Sequence, residues 1–181
     1  MDDPWLVTEQ IRQTAERAFK EIFTENYPGE LSTEEAIIRR AQEVLGADIE
    51  VYQGGDESWE NYLALTLTET ISALMLPAKY MILIRSDKKA YYRLFNVFHE
   101  LAHILLGHPP SEVQLPHGLS LDSMGLTSAT NAVRHAKQFV FDGDDSSRTH
   151  RIREGEAEEF ARLMVGLVMY PRYRSGERKF G

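Results

Sequence analysis

FNVFHELAHILLGHP, from Phe95 to Pro109, is the stretch on which the reading of the whole chain depends. Inside it lies His99-Glu100-Leu101-Ala102-His103, the HExxH spacing. Two His four positions apart on a helix sit about 40° apart around the axis and about 6 Å along it. Both imidazoles can then reach one tetrahedral zinc at roughly 2.0–2.1 Å. Glu100 stands beside the first of them, placed to accept a proton from a water that the metal activates. The flanking residues are apolar nearly all round, from Tyr91 through Leu94, Phe95, Val97, Phe98, Leu101, Ala102 and Ile104 to Leu106. Such a helix is buried. Asp87 suits its N-cap, Gly107 its C′ position, and Pro109-Pro110 stop it. Polar groups buried there cost several kcal/mol unless something satisfies them, and a metal would.

The totals narrow the classes. At 181 residues the chain is one domain, or one domain with a small extension. A formal net charge of −8 argues against a general nucleic-acid binder, whose footprint would be basic. There are no cysteines, so any zinc must be held by His and carboxylate. The first ten residues, MDDPWLVTEQ, are acidic and lack the apolar core of a signal peptide. No apolar run reaches the ~18 residues of a membrane span. The expectation is a soluble, cytoplasmic protein.

Around the central stretch the pattern predicts an α+β fold. A small, about three-stranded sheet packs on helices, one bearing the HExxH and another a ligand Glu. Residues 1–30 read as a helical extension, with an amphipathic helix over 4–23. Ser32 and Glu35 suggest a capping box for a second helix that Gly46 closes, with Ala36, Ile37, Val44 and Leu45 on its buried side. A strand follows over 48–52. Three apolar runs (62–67, 71–76 and 80–84) fit a meander. The third, beside the zinc helix, could take up an extended peptide by strand addition. Residues 111–128 read as a loop or lid, and 130–141 as ambiguous with helix favoured over strand. A long helix spans 148–170, and a basic tail, 172–181, follows.

A catalytic zinc needs a third protein ligand. Leu106 and Pro109 stand where a metzincin requires Gly and His, which excludes that class. A Glu from the downstream helix is the other common solution. Of Glu154, Glu156, Glu158 and Glu159, only Glu156 continues the stripe of Phe160, Met164, Leu167 and Val168 inward. Glu156 is therefore the expected ligand and Glu159 the second choice, with Glu154 read as pointing sideways. Candidates for an oxyanion-stabilising or supporting group are His135, His150, Tyr91 and Tyr170. His108 and His117 read as exposed.

HELAHILLGH followed by Glu156-Ala157 and Phe160-Ala161 resembles the ImmA/IrrE family of metallo-endopeptidases, over residues 31–171. The resemblance implies a zincin-like, gluzincin-like domain. It implies His99, His103 and Glu156 as zinc ligands and Glu100 as the catalytic Glu. It also implies a protein substrate, a helix-turn-helix DNA-binding repressor of the kind encoded in mobile elements, with no direct contact to nucleic acid. The chain departs from the family in carrying Glu158 where an Asn is usual, in its late Pro171, and in the long stretch from His108 to Glu156. The alternative function is a non-catalytic module in which zinc is structural and the protein holds a regulatory partner.

Overall fold

The computed structural model describes residues 4–24, 30–54, 62–71, 76–85, 89–109, 131–138 and 148–170. Helix α1, Pro4–Phe19, runs on into a π turn, Lys20–Thr24. Helix α2 spans Glu34–Leu45, and strands β1, β2 and β3 span Asp48–Gly54, Tyr62–Ile71 and Leu76–Arg85. Helix α3, Ala90–Leu105, carries the HExxH. Strand β4 is Asn131–Gln138, and helix α4 is Arg148–Met169. The fold is thus α+β, with one small mixed sheet.

The sheet order is β1-β3-β2-β4. β1 pairs parallel with β3, and β2 pairs antiparallel with both β3 and β4. This corrects the meander. One strand, Tyr62–Ile71, takes in the run expected over 62–67 and reaches the first residue of the run expected over 71–76, of which residues 72–75 lie outside the described residues. β3, between β1 and β2, has both edges paired. Strand addition at β3 is therefore closed off. The stretch 130–141, read as helix over strand, supplies the fourth strand; its partner β2, not its own ambiguous pattern, decides its state.

Alternation along β2 and β3 sorts their side chains. Ala64, Thr66 and Thr68 stand opposite Ile84, Ile82 and Tyr80 on one face. Leu65, Leu67, Met81 and Leu83 lie on the other, all buried. The first face packs on α3, and Ala64, Tyr80, Ile82 and Ile84 join one core with Leu94, Val97, Phe98, Leu101 and Ala102. The stretch expected as a helical extension contributes Ala15, Phe19 and Phe23 to the same core. Phe19 and Phe23 close on Phe160 of α4, with all three ring centroids 5.5–6.0 Å apart.

Local signals end the helices with two corrections. Thr33, not Ser32, caps α2, its hydroxyl accepting from the Ala36 N–H at 3.2 Å. Lys89, with no side-chain bond, is the N-cap of α3, so Asp87 is not. Gly46 closes α2 as expected, at φ 61°. On α2, Ile37 and Ala41 are buried whereas Val44 is exposed. Tyr91 and Tyr92 are exposed too, so the apolar wrap of α3 begins at Leu94. No helix among the described residues is long and apolar enough to cross a membrane. The expected lid, His117 and the basic tail lie outside the described residues.

Candidate metal centre

His99 and His103 are buried on α3, with their Nε2 atoms 3.1 Å apart. The Glu154 carboxylate reaches both: Oε2 is 3.4 Å from His99 Nε2, and Oε1 is 3.4 Å from His103 Nε2. A tetrahedral ion with bonds of about 2.0–2.1 Å would separate its ligand atoms by about 3.3–3.4 Å. The two His–Glu spacings, each to a different carboxylate oxygen, are near that edge length, and the His–His spacing of 3.1 Å is a little shorter. One donor atom from each residue lies within 4.8 Å of the others, so the three side chains could hold a metal ion. The donor set, two imidazoles and a carboxylate, suits zinc.

The third residue brought to this point is Glu154, not Glu156. The stripe drawn through Phe160, Met164, Leu167 and Val168 left out Ala157 and Ala161, which are both fully buried. At about 100° per residue, the buried arc of α4 centres about 50° from Glu154 and about 110° from Glu156. The large residue Phe160 turns toward α1, and Glu156, one turn earlier, turns the same way. Glu159 pairs with Arg162 on the surface, and Glu158 is exposed.

Glu100 is fully buried and accepts a hydrogen bond from Thr66 Oγ1 of β2 at 2.8 Å. Sequence reasoning missed Thr66. The signal was available: in LALTLT the hydroxyls at 66 and 68 interrupt an otherwise apolar, core-facing set of positions.

His108, expected to be exposed, is buried. Gly107, at φ 67°, turns the chain back at the end of α3. The Gly107 N–H donates to the Ile104 carbonyl at 3.1 Å and the His108 N–H to the His103 carbonyl at 3.0 Å, the paired bonds of a Schellman turn. The His108 ring then lies between His103 and Glu156. Its Nδ1 is 2.8 Å from His103 Nδ1, and its Nε2 is 3.2 Å from Glu156 Oε2. Burial pushes the Glu156 carboxyl above its ordinary range, while a bond with the Thr14 side chain and the charge of Arg153 pull it down.

Of the expected supporting groups, His150 sits one turn before Glu154, with its Nδ1 4.0 Å from Glu154 Oε1 and its side chain about two-fifths exposed. His135 is placed by register opposite Thr66 on β4. Tyr170 is exposed just beyond the end of α4, roughly 24 Å along the axis from Glu154. It is not brought to the site. Tyr91, exposed in the first turn of α3, is two turns before His99.

Compared with known proteins, the chain matches no family model, no curated protein and no solved structure at a significant level. The likeness to the ImmA/IrrE family therefore rests on the paired helix motifs alone.

Proposed function

We propose that the protein is a zinc-dependent endopeptidase with a zincin-like fold. The observation that carries this reading is the convergence of three donor atoms, from His99, His103 and Glu154, beside a buried Glu100 that the sheet holds in place. A zinc ion there would supply a Lewis acid for the scissile carbonyl and make nearby water acidic near neutral pH. Glu100 takes the proton of the attacking water as the new C–O bond forms. It then returns that proton to the leaving nitrogen as the C–N bond breaks. Thr66 fixes the rotation of the Glu100 carboxylate, so that proton transfer needs no rearrangement. The motif resemblance makes a DNA-binding repressor the preferred substrate and the cytoplasm the expected setting.

The test uses zinc-loaded protein and a denatured peptide library, with new termini read by mass spectrometry. The parent is expected to cut the library. Glu100→Gln is expected to lose cleavage while keeping one zinc per chain. A parent that binds zinc and cuts neither the library nor co-expressed repressors would overturn the enzyme reading and leave the structural-zinc module.

A further inference from the structure

A hydrogen-bonded chain leads away from the metal centre on the side opposite to the zinc-facing nitrogens. It runs from His103 Nδ1 to His108 Nδ1 at 2.8 Å, then from His108 Nε2 to Glu156 Oε2 at 3.2 Å. Glu156 in turn bonds with the Thr14 side chain of α1. We propose that His108 and Glu156 are positioning residues that keep the proton of His103 on Nδ1 and turn its Nε2 to the metal, with Thr14 anchoring the far end. The inference rests on the metal-centre reading of His99, His103 and Glu154.

The direction of each bond follows from the end of the chain. With Glu156 ionised its carboxylate only accepts, so His108 Nε2 donates to it. A neutral His108 is then bare at Nδ1 and accepts there. His103 must therefore donate from Nδ1, which leaves its Nε2 lone pair for the metal. The other order would set two N–H groups, or two lone pairs, against each other across 2.8 Å. Metal-bound imidazoles are commonly oriented through their second nitrogen in this way. Here the partner is a second His rather than a carboxylate, and the Gly107 turn brings it back onto its own helix. No group changes its charge in this arrangement; only the tautomer is chosen.

The first test reads the tautomer in the metal-free full chain, labelled with 15N-histidine, by long-range 1H–15N correlation. A proton on His103 Nδ1, with His108 protonated at Nε2 and bare at Nδ1, is expected. A bare His103 Nδ1 would overturn the proposal. The second test measures zinc affinity by competition with a chromophoric chelator. His108→Ala and Glu156→Ala are expected to weaken binding about 10-fold or more. Glu156→Gln, whose amide oxygen still accepts from His108, should stay near the parent. Parental affinity in both alanine variants would overturn the proposal. If His108→Ala does not fold, the Glu156 pair and the parent spectrum still decide. A parent that binds no zinc would refute the metal-centre reading, and the parent's tautomer would still decide the chain by itself.

Discussion

Thr66 Oγ1 stands 2.8 Å from Glu100 Oε2, so a hydroxyl from the sheet holds the one carboxylate buried inside the HExxH helix. A hydrogen bond to a charged group is worth about 1.5–3 kcal/mol. Thr66→Val keeps the shape and removes the donor. It is expected to lower stability by about that amount and to reduce turnover, whereas Thr66→Ser, which can still donate, should recover much of both. Urea unfolding of the three proteins checks this. Equal stability of the Val variant and the parent would show that the bond contributes nothing net.

Zinc content separates Glu154 from Glu156 on α4. Glu154→Ala removes a donor atom, and mass spectrometry is expected to find little zinc in it. Glu156→Ala leaves all three donors, so it should fill to one zinc per chain when the metal is in excess, with weaker affinity. The reverse pattern would return the third-ligand role to Glu156.

Two glycines of α4 predict unequal responses to a methyl group. Nothing lies within 4 Å of a Cβ added at Gly166, so Gly166→Ala should gain about 0.8–1 kcal/mol from helix propensity. At Gly155 an added Cβ would stand 2.9 Å from Ile11 Cδ1 of α1. That methyl must swing aside, so Gly155→Ala should gain less, and Gly155→Leu should destabilise by about 1–3 kcal/mol through overpacking. Thermal melts of the three variants test the docking of α1 on α4. A stable Gly155→Leu would mean that the two helices do not pack closely there.

Burial raises the Glu156 carboxyl, with opposing pulls from Thr14 and Arg153. A group with a higher pKa folded than unfolded adds stability that is complete below the unfolded value, about 4.3, and fades as pH rises through the folded one. Glu156→Gln is neutral throughout and still bonds to His108 and Thr14. Metal-free Glu156→Gln is thus expected to gain on the parent between pH 4 and pH 7, read as the difference in urea midpoints. A parent that gains on the variant over that range would reverse the assigned sign.

The helices, and the ends that a glycine closes, were legible in the sequence, whereas both expected N-caps, Ser32 and Asp87, fell one or two residues away from the observed ones, Thr33 and Lys89. The apolar face of α3, Gly46 and Gly107 all act within a turn or two of themselves. The sheet was less legible because strand state depends on partners. β1 lies beside β3 across an intervening strand, and nothing in Asp48–Gly54 announces a parallel neighbour. At the site, His99, Glu100 and His103 could be read because one helix sets their spacing. Glu154 was misread because bulk was taken to mark the face toward α3. Glu154 instead shares its stripe of α4, at three and seven residues on, with Ala157 and Ala161, both small and fully buried.

The packing of α1 on α4 has a consequence for synthesis. The ribosome delivers the two imidazoles on α3 long before Glu154, and α1 before either. Until α4 emerges, Phe19 and Phe23 lack Phe160, and His108 lacks Glu156. The centre is therefore completed by the last described helix, which at the same stroke gives the first helix its partner. Such long-range closure is slow and leaves apolar surface open meanwhile. A nascent chain stalled before Arg148 should be a client for chaperones, unable to capture metal with the affinity of the finished protein.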